Sequence, residues 1–570
     1  MNSYILPFAD LSAKDVALVG GKNASLGEMI HHLSPMGVHV PDGFALSTDA
    51  YFTFLSDNKL TEALQSKLNE LNTQSLDNLG ILSAACKALI LKGTFSENLR
   101  EQLRNAYHHL CNKCGAAISV AVRSSATAED SPTASFAGQH ESYLNVTGVD
   151  ALLEAVHHCY ASVFAERAIK YRLDNGFAHL SLGLSVGVQR MVRADKGCAG
   201  VVFTIEPETG NQNLIYLTGA WGLGESVVQG AVNTDEFYLF KPALANKKKA
   251  LIYRSLGSKK KRMVYGETHS TQWEETPPAL RDQYILSDEE INRIGQWCYQ
   301  IEQHYKMPMD IEWAKDGITG ELFIVQARPE TIHAQQKKIT LKEYTLKTKD
   351  KPLVTGKAIG KSIVNGKVRI IKSLADADKI KKGDIIVADI TNPDWNALLR
   401  KAICIVTNKG GRTSHASIIA RELGIPAVVG TNNATEKLMD DQLITVSCAS
   451  GDEGLVYNGG LPWIEKETPL EKLTKTKTKP MFILADPMKA LLYAAYPNEG
   501  VGLLRMEFII TNSVQVHPMA LVKFHELPDT NEKKQIDALT RHYASKTTFF
   551  IERLAESIAL VAAASLRPID

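Results

Sequence analysis

The stretch Gly410-Gly411-Arg412-Thr413-Ser414-His415-Ala416-Ser417-Ile418-Ile419-Ala420-Arg421-Glu422-Leu423-Gly424-Ile425-Pro426 reads as a tight turn, a lone histidine, one short helix and a sharp stop. The paired glycines accept positive φ and let the chain turn closely. Thr413 and Ser414 are N-cap residue types. Ala416, Ile419 and Leu423 share one helical face, and Gly424 followed by Pro426 ends the helix. His415 is thereby placed at the positive end of a helix dipole, beside backbone N–H groups that favour an anion. A histidine that carries a phosphoryl group needs this setting: a neutral ring nitrogen to attack phosphorus, then donors for the new negative oxygens. The alternative is a histidine that only caps its helix.

Outward from this motif the pattern is of short strands around glycine turns, at 367–371, 384–388, 403–407 and 443–446. Two polar, poorly periodic stretches rich in lysine and threonine, 332–352 and 464–480, read as linkers. They divide the chain into units at 1–331, 353–463 and 481–570. The first mixes helical patterns at 60–68 and 151–172 with apolar strands at 119–122, 185–192 and 322–326. The last opens with strand-like runs at 481–484 and 502–510, then turns helical after Asn531. The expected fold class is multidomain α/β and α+β.

The 570 residues exceed what one hydrophobic core serves. A formal net charge of +1 gives no global reason to expect nucleic acid or an anionic membrane as partner. Residues 1–10 lack a basic region followed by an apolar run, and no apolar run approaches a membrane span. Eight scattered cysteines suit reduced thiols, so a cytoplasmic protein is expected. Cys111 and Cys114 form one CxxC without the nearby second pair that zinc sites use.

Three segments suit a nucleotide. Gly20-Gly21-Lys22 puts a lysine after a flexible turn, and Val122-Arg123-Ser124-Ser125 puts an arginine at a strand end followed by hydroxyls. A point charge and a planar fork both suit phosphate oxygens. Neither segment has Walker A spacing, and Gly222-Leu223-Gly224-Glu225 fails the dinucleotide pattern. In the third segment, Asp310 and Glu312 share one strand face, as do Gln326 and Arg328. If those strands pair, carboxylates, an amide and a guanidinium converge. That gives either a Mg-nucleotide site, since magnesium takes oxygen ligands, or the solvated face of an edge hairpin.

The histidine run resembles the phosphohistidine signature of enzymes that use or make phosphoenolpyruvate. Residues 1–329 resemble the ATP-grasp nucleotide-binding domain of the phosphoenolpyruvate synthase (pyruvate, water dikinase) family. The likeness lies in GGKNASLGEM, VPDGFALSTDAY, AVRSSATAEDSPTASFAGQHESYLNV, GLGESVVQGAVNTDEFY, DIEWA and VQARPET. Residues 388–395 and 445–448 resemble the same family around the histidine. The resemblance implies ATP bound by Lys22, Arg123, Asp310, Glu312, Gln326 and Arg328. It implies Mg2+ held through Glu312 and Gln326, and His415 as the swivelling phosphohistidine between two sites. It further implies that a regulatory kinase can modify Thr413, where a second phosphate would block transfer. The implied reaction is ATP plus pyruvate plus water giving AMP, phosphoenolpyruvate and phosphate.

The family's third domain is a (β/α)8 barrel of roughly 200 or more residues, whereas about 90 residues follow Pro480. Residues 497–508 resemble the barrel's opening, with Arg505 as its first substrate-binding arginine. The barrel's magnesium-binding carboxylates and cysteine proton donor have no counterpart before Asp570. The expectation is therefore an incomplete barrel and a chain limited to the ATP half-reaction. A rifampin-type phosphotransferase is disfavoured because Pro329 and His415 lie too close for its intervening domain. Enzyme I of sugar phosphotransferases lacks an ATP-grasp module. Pyruvate, phosphate dikinase stays as an alternative, as does an inactive ATP-binding fragment.

Overall fold

The computed structural model describes residues 4–565, apart from 74–75, 116–117, 128–129, 132–133, 136–141, 175, 268–269, 331–339, 349, 393–394, 470–475, 485 and 495. The N-terminal unit is built on two antiparallel sheets. The first has strand order Ile5–Pro7, Gly43–Leu46, Leu184–Arg190, Val120–Ala126, Ser142–Val146. Helices including Thr48–Asp57, Glu97–Cys114 and Val149–Ser162 share one apolar core with it. The second runs Leu251–Ser255, Asp235–Phe240, Leu214–Trp221, Cys198–Phe203, Met309–Lys315, Leu322–Pro329.

Helix Asp288–Tyr305 covers that second sheet. It starts at a capping box between Ser287 and Glu290, buries Ile291, Ile294, Cys298 and Ile301 at helical spacing, and stops at Lys306 in the left-handed region. Losing the Ser287 cap costs about 1 kcal/mol. Helix Val16–His32 contacts both sheets. It is broken at Gly20 (φ 72°), where a Cβ would lie 2.3 Å from the Ser125 Oγ. Only glycine permits both the left-handed turn and the close approach, and together they set Lys22 beside the strand that carries Arg123.

The middle unit is a closed seven-stranded barrel, ordered Val354–Ile359, Ala427–Val429, Cys404–Thr407, Ile385–Ala388, Ile363–Ile371, Leu443–Ser450, Glu453–Asn458. Its three short parallel strands are buried at every residue, as parallel strands covered on both faces require. The architecture is mixed α/β and multidomain, as expected. In the C-terminal part, Phe482–Leu484 pairs in parallel with Val501–Leu504 across helix Lys489–Tyr493. Leu484, Leu491, Leu560 and Val561 pack with Tyr216, Tyr238 and Ile252 of the second sheet.

Three sequence expectations change. The linkers are in part regular: Thr340–Leu346 and Trp463–Pro469 pair as an antiparallel ribbon; residues 331–339, 349 and 470–475 of the two linker segments lie outside the described set. The helical pattern at 151–172 is two helices, Val149–Ser162 and Glu166–Asp174. The break falls where Val163 and Phe164 are fully buried and the Phe164 carbonyl accepts a bond from Ser83 Oγ (2.7 Å), so packing overrides periodicity. The run at 502–510 is strand only to Leu504, where its partner strand also ends; Arg505 then caps helix Met506–Ile509. No single helix among the described residues is long and apolar enough to cross a membrane.

Candidate active site

Strands Met309–Lys315 and Leu322–Pro329 do pair, antiparallel, with Glu312 directly opposite Gln326 and Asp310 opposite Arg328. The Arg328 guanidinium donates to Asp310 Oδ2 through Nε (3.0 Å) and Nη2 (2.7 Å). Burial pushes the Asp310 carboxyl up, against the opposing pull of Arg328. Arg123 reaches across from the first sheet: its Nη1 lies 3.5 Å from Glu312 Oε2 and 3.4 Å from Gln326 Oε1. Lys22, Arg123, Ser124, Gln189 and Gln326 line one narrow cleft between the sheets. Three buried polar atoms on it, Arg123 Nε, Ser124 Oγ and Gln189 Nε2, have no hydrogen-bond partner among the described residues. Buried donors left unpaired are costly, so the cleft is built for a polar guest. Glu225 adds a partly buried carboxylate whose pKa is raised by burial, opposed by nearby Arg123 and reinforced by nearby Glu312.

His415 opens helix His415–Leu423, with Ser414 as N-cap and Gly424 (φ 66°) as the left-handed stop. The ring is 8% exposed. Its Nδ1 lies 3.0 Å from Thr391 Oγ1. Burial, with a further push from the Arg167 guanidinium, lowers its pKa from 6.5 to about 4, so the imidazole is neutral at physiological pH. The histidine turn is seated on the N-terminal unit. Thr413 Oγ1 is 3.5 Å from Thr218 Oγ1, and Gly230 is packed so tightly that a Cβ there would lie 2.1 Å from Ser414 Cβ. Gly230 closes the turn that follows helix Glu225–Val228, while Glu225 at its start faces the nucleotide cleft. Gly230 lies two residues past that four-residue helix, so the Glu225 end of the cleft and the histidine turn are neighbours.

Comparison with known proteins bears on this pairing. Residues 16–348 match the family described as pyruvate phosphate dikinase, AMP/ATP-binding domain, and residues 380–451 match the PEP-utilising enzyme, mobile domain. A phosphoenolpyruvate synthase of Synechocystis sp. is 46% identical over 99% of this chain and 70% of its own length. One of Escherichia coli is 46% identical over 98% of this chain and 71% of its own. The chain belongs to the phosphoenolpyruvate synthase family. A probable phosphoenolpyruvate synthase of Archaeoglobus fulgidus, 37% identical over 92% of this chain, extends the likeness further. These matches lend no support to the expectations of an incomplete barrel and of a chain limited to the ATP half-reaction.

The structure brings Lys22, Arg123 and Gln326 to one cleft, with Glu312 against Arg123 and the Asp310–Arg328 pair next along the strands. Thr413 adjoins His415 but faces Thr218. Arg505 stands apart, exposed at the end of strand Val501–Leu504, its guanidinium 5.9 Å from the Phe508 ring centre. Sequence reading missed Thr391, Arg167, Gln189 and Glu225. A signal existed for three of them: Gln189 is a polar residue in a buried strand, and Glu225 and Thr391 lie in the stretches GLGESVVQGAVNTDEFY and 388–395 that carry the family likeness, without a role being assigned to either.

Proposed function

We propose that this chain carries out the phosphoenolpyruvate synthase reaction, taking a phosphoryl group from ATP onto His415 and passing it to pyruvate. The observation that carries the reading is the juxtaposition of a neutral, buried histidine at a helix N-terminus with a cleft of unpaired phosphate-type donors. In this reading the N-terminal unit is an ATP-grasp domain. Lys22 and Arg123 bind phosphate oxygens, and Arg328, steadied by Asp310, adds a third cation. Thr391 engages Nδ1, which assigns attack to Nε2. The first turn of the motif helix and Arg167 favour the negative oxygens that arrive.

Glu312 and Gln326 suit Mg2+, since they present a carboxylate and an amide oxygen opposite one another. Among the described residues there is no cluster of three His, Cys, Asp or Glu side chains fit for a metal, so these two would share the ion with the nucleotide. When bound, the ion neutralises phosphate charge. Arg505 fits the acceptor site by its place just past a parallel strand. Thr413 is 2% exposed, so a regulatory kinase reaches it only when the barrel is undocked. The eight free thiols accord with a cytoplasmic setting.

Intact mass after incubation with Mg-ATP, alongside His415→Ala and with AMP followed in parallel, tests the reading. An acid-labile phosphoryl adduct that needs His415, formed with AMP release and lost on adding pyruvate, is the expected result. Binding of ATP without any adduct would overturn it.

A further inference from the structure

The contact between the barrel and the N-terminal unit is strongly charged, with carboxylates of the N-terminal unit facing cations of the barrel, although Asp452 of the barrel also pairs with Arg412. The N-terminal unit presents Glu208 and Glu236 on strands and loops of its second sheet; Glu236 is buried. The barrel presents Lys357, Lys361, Arg412 and Arg421. Lys357 pairs with Glu236, and Arg421 pairs with Glu208 through Nη2. The backbone N–H of Gly360 also donates to Glu208 Oε2 (3.3 Å), with exposed Lys361 beside it. Arg412 donates through Nη1 to Tyr238 OH (2.8 Å). Burial alone would raise the Glu236 carboxyl, yet Lys357 and Arg412 hold it below the ordinary value. Two of the four cations, Arg412 and Arg421, belong to the histidine motif itself. Arg421 Nη1 further donates to the Arg412 carbonyl (2.6 Å), tying them into one unit.

We propose that Glu208 and Glu236 are the receptor of an ionic latch that seats the histidine barrel on the nucleotide cleft, acting as positioning residues for phosphoryl transfer from ATP. The proposal rests on the reading of His415 as the carrier. The latch has two consequences. Docking strength falls with ionic strength, because Lys357 is solvent-exposed and salt screens the attraction between the approaching faces beyond about 8–10 Å. Arg421 is committed to Glu208 of the N-terminal unit while docked and becomes available to other anions once the barrel leaves, whereas Arg412 also pairs with Asp452 of the barrel itself.

The test uses Glu208→Gln, Glu236→Lys, Lys357→Glu and the double swap Glu236→Lys/Lys357→Glu in the full chain. Two readouts run side by side: single-turnover phosphohistidine formation, and amide hydrogen exchange over 226–231 and 408–417. Each single change should slow phosphohistidine formation about tenfold or more and raise exchange in both segments, with ATP affinity unchanged. The swap should restore part of both, falling short of the parent because Arg412 also acts on position 236, and the singly changed proteins should lose the salt dependence of the parent. Unchanged rate and exchange in Glu208→Gln and Lys357→Glu would overturn the latch, as would a swap that fails to recover while its thermal unfolding matches the parent. Exchange reports docking without chemistry. If no variant and no parent forms phosphohistidine, yet exchange follows the charges, the latch stands and the carrier reading falls.

Discussion

Gly230→Ala is the sharpest perturbation the interface offers. Gly230 sits at φ 68°, and a Cβ there would lie 2.1 Å from Ser414 Cβ and 2.8 Å from Ser414 Cα. Neither atom is the end of a flexible side chain, so the overlap is relieved only by moving the barrel. Two costs separate. The left-handed backbone costs about 1–2 kcal/mol, but docked and undocked forms share it, and it lowers the stability of the N-terminal unit alone. The overlap falls on the docked form only. Overpacking of this kind costs about 1–3 kcal/mol, or roughly 5- to 150-fold in docked population. Phosphohistidine formation, measured by rapid quench and intact mass at saturating Mg-ATP, should slow by that factor while ATP affinity holds. Ser414→Gly removes the nearer of the two atoms struck and leaves the Cα at 2.8 Å. Ser414 makes no side-chain capping bond to its helix, and glycine at an N-cap costs only a few tenths of a kcal/mol, so Gly230→Ala/Ser414→Gly should recover part of the rate. Full activity in Gly230→Ala, or no recovery in the double variant, would refute the docking geometry.

Other expectations follow from the same site. Because His415 is held neutral down to about pH 4, phosphohistidine formation should stay level on acidification and fall only near that value; an acid limb at 6.5 would show a solvated ring instead. The folded chain then binds fewer protons at His415 than the unfolded one, so this contribution to folding stability is full above 6.5 and is lost as pH falls towards 4, by roughly 3 kcal/mol in all; thermal unfolding across that range checks the sign. Glu312→Gln should raise the Mg2+ concentration for half-maximal AMP release about tenfold, and an unchanged requirement would place the ion elsewhere. Arg505→Met should leave phosphohistidine formation intact while transfer to pyruvate drops about 100-fold; loss of the first step would contradict the separation of the two sites.

Local signals in the sequence foretold local structure well. The helix at His415, its glycine stop and the opposition of Glu312 to Gln326 all follow from short-range periodicity and turn chemistry. What escaped depends on pairing across distance. Thr391 meets His415 from 24 residues away, and Arg167 faces it from another unit; no spacing rule links such residues. The ribbon strands Thr340–Leu346 and Trp463–Pro469 pair residues more than a hundred positions apart. Lysine, glutamate and threonine occur on both of their faces, so the period-two alternation that marks a half-buried strand is missing. The docking face was invisible for a related reason: Glu208 and Glu236 look like ordinary surface charges until the barrel is set against them.

The ribbon also settles how the barrel is joined to the rest of the chain. Leu346 on the way in stands directly opposite Trp463 on the way out, so residues 347–462 begin and end at one point in space. A unit with adjoining ends is a cassette. It closes on itself without strain, and a host chain receives or loses it at a single junction with its own sheets undisturbed. A phosphoryl carrier can in this way be moved between host enzymes as a whole, matched covalently at the two strands of its stem and non-covalently at the face that receives it.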